Sequence, residues 1–195
     1  NFEEFFIIKL KLTTPPINMS QYEYEKYITT KEKLKETLSE FGVAIIPNVI
    51  NEQEIENMKK GMWEYLEHIT KKFPTPISRN HPESWKELYK LYPIHSMLLQ
   101  HWGIGHAQFL WDLRQNEKIL DIWSHLWNVK KENLLVSFDG ASIHMPPETT
   151  GRGWFKEKKW LHSDQSFLRN NFECVQSWVT AYDVNEGDAT LTFLE

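Results

Sequence analysis

The hydrophobic period of the chain changes once, near Lys131. Up to about Trp127, apolar residues recur at helical spacing. Beyond Lys131 they alternate, as they do in strands. One helical stretch followed by one run of strands predicts an α+β domain: a helical layer, then antiparallel strands closing as a barrel or jelly roll. The 195 residues suit one domain. Residues 1–130 are then mainly helical support, and residues 131–195 carry the strands.

Local signals place the elements. "YEKYITTKEKLKETLSEFG" spaces Tyr27, Leu34, Leu38 and Phe41 helically and ends on Gly42, a natural stop. "VAIIP" reads as a short buried strand closed by Pro47. The next helix has Asn51 as N-cap and Glu54 at capping-box spacing. Its apolar stripe is Ile55, Met58, Met62, Tyr65, Leu66 and Ile69. "FPTPISRNHPES" predicts an ordered loop. Shorter helices follow in "ESWKELYKLY", "HAQFLWDLRQ" and "NEKILDIWSHLWN". In the second part, Asp139-Gly140 predicts a tight hairpin turn inside "NLLVSFDGASIHM". "MPPETTGRG" reads as a loop, either a lid or a connection. "KWLHSDQSF", "CVQSWVTAYDV" and "ATLTFLE" read as strands.

Composition narrows the function classes. A net charge of -5 argues against a nucleic-acid binder, which needs a basic face. The longest apolar runs fall far short of the roughly 20 residues of a membrane span. The single cysteine, Cys174, excludes an intrachain disulfide framework and is expected to be buried. The chain therefore reads as a cytoplasmic protein of undefined oligomeric state. The histidines of "HSMLLQHWGIGH", His95, His101 and His106, match no zinc spacing. "FKEKKW" is a basic, aromatic stretch that suits a solvated loop or a contact to an anionic substrate.

"WLHSDQSF" carries the chemistry. On a strand His162 and Asp164 share one face, and Ser163 takes the other. Imidazole and carboxylate side by side suit a divalent metal. With a second histidine they form the two-histidine, one-carboxylate face of non-haem Fe(II) oxygenases. A plain His–Asp hydrogen bond on a half-exposed strand is the competing reading.

Several stretches, in order, resemble the phytanoyl-CoA dioxygenase-like family of Fe(II)/2-oxoglutarate-dependent oxygenases. They are "FGVAIIPNVINEQEIENMKKGMWEYL", "LLVSFDG", "WLHSDQSF" and "CVQSWVTAYDVNEGDATLTFLE". The resemblance implies a double-stranded β-helix, or jelly roll, with helices packed on one side. It makes His162 and Asp164 iron ligands and sets Trp178 against 2-oxoglutarate, with Gln176 on the same strand face. Ser137 and Asp139 could touch co-substrate or substrate, although Asp139-Gly140 is also explained by a turn alone. Trp154, Phe155, Trp160, Phe167 and Trp178 would suit a dry pocket. The implied reaction is hydroxylation of an unactivated C–H bond in a small or lipid-like substrate, with release of succinate and carbon dioxide. Halogenating relatives lack the carboxylate, so Asp164 favours a hydroxylase.

The chain departs from the family in two places. All eight histidines lie at or before His162, and no arginine follows Arg169. The family's distal histidine, and the arginine that pairs with 2-oxoglutarate, are therefore expected beyond Glu195, together with the rest of the jelly roll. His144 is a weaker candidate for the third ligand. The alternative is a jelly-roll binding or structural protein without catalysis. Half a jelly roll exposes strand edges and apolar surface, so this segment alone is expected to be poorly soluble. A sharp, reversible melt of the isolated chain as a monomer would refute that expectation.

Overall fold

Asn51 and Glu54 start the longest helix as their spacing predicts. The Asn51 side chain accepts from Glu54 N at 2.9 Å, and Glu54 Oε2 accepts from Asn51 N at 2.6 Å. This reciprocal cap opens α2 (Glu52–Thr70) in a computed structural model. The structure describes residues 24–95, 97–152, 162, 164–166, 168–169, 171–184 and 188. Its other helices are α1 (Leu34–Phe41), α3 (Gln108–Arg114), α4 (Glu117–Trp127) and the single turn α5 (Pro147–Thr150). Two short strands, β1 (Leu98–Leu99) and β2 (Ala141–Ser142), pair antiparallel.

The N-terminal layer follows the sequence in part: α1 covers only the end of the stretch read as one helix, and Tyr27 lies in a separate 3-10 turn (Tyr24–Tyr27), parted from α1 where Ile28 bridges to Ile45. Gly42 caps α1 at a φ of 70°, where glycine carries no steric penalty. Met58 and Leu66 of the α2 stripe are buried, and Ile55, Met62, Tyr65 and Ile69 pack beside them. α3 crosses α2 at Gly61: a Cβ there would lie 2.4 Å from Phe109 Cβ. The crossing therefore requires glycine for closeness. α4 is capped by the Asn116 side chain at its start and by Asn128 at its end. Asn116 Nδ2 and Lys118 Nζ also reach the Glu54 carboxylate, at 2.7 and 2.5 Å, so the caps of α2 and α4 are tied together.

The loop after α2 is ordered, as its composition predicts. Thr70 Oγ1 donates to Leu66 O and accepts from Ile77 N. Ile77 is buried in the core. Arg79 closes the loop on α2: its backbone N and Nε donate to Glu67 Oε1 at 2.9 and 3.1 Å, and its Nη2 donates to Oε2 at 2.8 Å. The stretch Pro82–Leu91 coils as a 3-10 helix. Tyr65 OH donates to Trp102 O at 3.0 Å, and burial pushes the pKa of that phenol up to about 12.

The second part differs more. β2 pairs with β1 in the register Leu98↔Ser142 and Leu99↔Ala141, not with the run before Asp139. The reason is steric and electrostatic. A Cβ on Gly140 would lie 2.0 Å from Leu99 O, so only glycine lets this segment approach β1. The buried Arg114 guanidinium holds the preceding turn, donating to Asp139 O at 2.7 Å and to Gly105 O at 2.6 Å. "VAIIP" makes a single parallel bridge, Ile28↔Ile45, in place of a strand. "MPPETTGRG" contains the turn of α5. Cys174 is exposed, against the expectation of burial. No jelly roll is evident among the described residues. "ATLTFLE" and much of "KWLHSDQSF", expected to help build it, lie outside them. No described helix is long and apolar enough to cross a membrane.

The Arg79 fork holds the Glu67 carboxyl below the usual glutamate range, against the opposing effect of its partial burial. A carboxyl with a lowered folded pKa contributes stability above its unfolded pKa of about 4.3 and loses it as pH falls through the lower folded value. Glu67→Gln is expected to cost on the order of 1 kcal/mol at pH 7, given the pair's partial exposure. It should also flatten the fall in melting temperature below about pH 4.5. Thermal melts across that range check both effects.

Candidate metal centre

His162 and Asp164 come together. His162 Nε2 lies 3.1 Å from Asp164 Oδ1, with the two side chains 58% and 30% exposed. Two donors in adjacent positions of an octahedral ion, each about 2.1 Å from it, are roughly 3 Å apart. The pair therefore fits two adjacent positions on such an ion, and the same distance suits a His–Asp hydrogen bond. Among the described residues, no group of three His, Cys, Asp or Glu side chains is placed to hold a metal. His144 does not complete a set: its Nε2 lies 2.9 Å from Ser142 Oγ.

The backbone at the pair is not a regular strand. His162 has no assigned element, and Asp164 and Gln165 lie in a bend. Gln165 accounts for the change of direction. Its Nε2 donates to Arg169 O at 2.8 Å and to Asn171 O at 2.9 Å, pulling the chain into a turn directly after Asp164. Arg169 N donates to Ser166 O, and Arg169 Nε pairs with Glu173 at 2.7 Å. Sequence reasoning missed Gln165. A long amide two residues short of a basic, Asn-rich stretch was the available signal.

Residues 171–184 then run across the helical layer as an extended strap. At one end the Phe172 ring sits 5.5 Å from Trp127, with Lys35 over it. At the other end Tyr182 OH accepts from Trp63 Nε1 at 3.1 Å, and Lys59 lies 5.1 Å from the ring. Between these ends the side chains alternate. Val175, Val179 and Ala181 pack on the core, and Ser177 is 2% exposed. The period of two puts Gln176 and Trp178 on the opposite face. Gln176 is exposed and Trp178 half-buried.

The remaining expected residues lie on the approach to β2. The Asp139 side chain is engaged in its own turn, with Oδ1 accepting from Gly140 N at 2.6 Å and from Gln100 Nε2 at 3.2 Å. Ser137 Oγ is buried without a hydrogen-bond partner among the described residues, as is Ser177 Oγ. Phe138, between Ser137 and Asp139, is exposed and stacks 4.6 Å from His106 and 5.6 Å from Trp111. Trp154, Phe155, Trp160, Phe167 and the whole of "FKEKKW" lie outside the described residues.

No family model matches this chain, and no curated protein or solved structure is significantly similar to it.

A buried hydroxyl without a partner costs about 1–3 kcal/mol. Ser177→Ala removes it with little change of shape, so the melting temperature is expected to hold or rise. A fall worth more than about 1 kcal/mol would mean that the hydroxyl is partnered in solution.

Proposed function

We propose that the protein is an Fe(II)- and 2-oxoglutarate-dependent oxygenase, hydroxylating an unactivated C–H bond in a small or lipid-like organic molecule. The observation that carries this reading is the 3.1 Å separation of His162 Nε2 and Asp164 Oδ1 on an accessible stretch of chain. The family resemblance of the surrounding motifs supplies the choice of metal and co-substrate. Bound iron with the keto acid would supply the oxidising power, giving succinate and carbon dioxide beside the hydroxylated product.

The chain's own residues would set geometry. His162 would present a neutral imidazole nitrogen and Asp164 a carboxylate oxygen, the donor types that suit a divalent ion. Asp164 would fill the position that a halide needs, so hydroxylation is proposed over halogenation. The turn pinned by Gln165 would fix the direction of the Asp164 backbone. Gln176 and Trp178, on the strap face turned from the core, are proposed to line the co-substrate, Trp178 by stacking and Gln176 by hydrogen bonding. Ser137 and Asp139 are proposed as more distant lining. The reading takes the protein to act in the cytoplasm, in keeping with its single cysteine.

A second reading is a binding or structural protein without catalysis. It is favoured by one observation: no third donor joins the pair among the described residues. An anaerobic titration separates the two. The naturally occurring protein is mixed with Fe(II) and then 2-oxoglutarate, and its visible absorption is followed. The oxygenase reading expects a weak charge-transfer band. It also expects His162→Ala to weaken iron binding by at least about 10-fold, the lower end of what loss of a mere supporting contact costs. A folded protein with no band, or a band unchanged by His162→Ala, overturns the assignment.

A further inference from the structure

The loop between α2 and the 3-10 helix at Pro82–Leu91 contains a Thr-Pro dipeptide that the proposed oxygenase chemistry does not use. Pro74, Thr75 and Pro76 are all exposed, and Lys71 and Lys72 before them are exposed too. The feet of the loop are fixed. Phe73 N donates to Thr70 O at 2.8 Å, Ile77 N donates to Thr70 Oγ1 at 3.0 Å, and Arg79 is forked onto Glu67. Ile77 is 1% exposed and anchors the far side in the core. The tip is thus held out from the body with Thr75 at its centre.

The local chemistry matches what one class of enzyme requires. A residue before proline is restricted to extended backbone, so Pro76 biases Thr75 toward the conformation a kinase cleft accepts. Pro74 and Pro76 have no N–H, so neither can tie the tip into a backbone ladder. The two exposed lysines offset part of the charge of roughly -2 that a phosphate adds. The other Thr-Pro of the chain, Thr14-Pro15, lies outside the described residues.

We propose that Thr75 is a phosphorylation site for a proline-directed protein kinase. The Thr75 hydroxyl oxygen attacks the terminal phosphorus of a nucleoside triphosphate. The bond from that phosphorus to the bridging oxygen breaks, nucleoside diphosphate leaves, and the hydroxyl proton passes to a carboxylate of the kinase. The kinase class that fits is one that reads the proline directly after the acceptor, because Ile77, the residue beyond Pro76, is buried out of its reach.

The test incubates the folded protein with a proline-directed kinase and ATP and maps phosphate by mass spectrometry. A peptide covering residues 70–80 serves as reference. The expected result is close to one phosphate per chain at Thr75, at a lower rate than the peptide. Incorporation at this position should vanish in Thr75→Ala and fall at least about 10-fold in Pro76→Ala, with the fold of each variant checked by its melt. Phosphorylation of the peptide but not of the protein would show that the loop does not present the site. Phosphorylation of neither, or at Thr14 alone, would also overturn the proposal.

Discussion

The Arg114 guanidinium is the contact on which the two parts of the chain depend. It is 3% exposed, so its charge has left water and must be met by oriented acceptors. Two of these are carbonyls far apart in sequence, Gly105 O and Asp139 O. The first fixes the turn before α3. The second fixes the turn that delivers β2 to β1. Neutral donors could make these bonds singly, but a planar guanidinium makes both at once in a fixed geometry. The Trp111 ring, 5.6 Å from the guanidinium carbon, covers part of it. The strand register, the place of Gly140 against Leu99 and the burial of Ile143 and Met145 all follow from where that turn is held.

The helical layer acts as a platform in which polar contacts set angles and apolar contacts supply most of the stability. The Glu54 carboxylate is the clearest case of the former. Burial opposes its charge, but bonds from Lys118, the Asn51 backbone and Asn116 outweigh that and keep it ionised. The strap of residues 171–184 crosses this platform with aromatic contacts at both ends and small aliphatic side chains between them. Its outward face is thereby left for Gln176 and Trp178.

Much of the helical layer was legible in the sequence because its signals are local. The Asn51–Glu54 box, the Gly42 stop and the α2 stripe depend on residues within a few positions of each other. The strands were harder for the converse reason. Asp139-Gly140 carries a strong hairpin signal, yet its glycine serves a close approach to Leu99, some forty positions earlier, and its aspartate is held by Arg114. No local pattern encodes either contact. The pairing of His162 with Asp164 was legible from their spacing. The bend at that point was not, since it comes from the Gln165 side chain capturing two carbonyls.

The crossing at Gly61 bears on how such a chain can evolve. Glycine inside a helix costs about 1 kcal/mol relative to alanine, and selection would ordinarily remove it from the middle of α2. Here the missing side chain is the space into which Phe109 fits. Any descendant that keeps this crossing must keep glycine at position 61, while its solvent-facing neighbour Lys60 is open to drift. A lineage that replaced the glycine would have to let the two helices part, because the clash is with the Cβ of position 109, which any side chain there would keep.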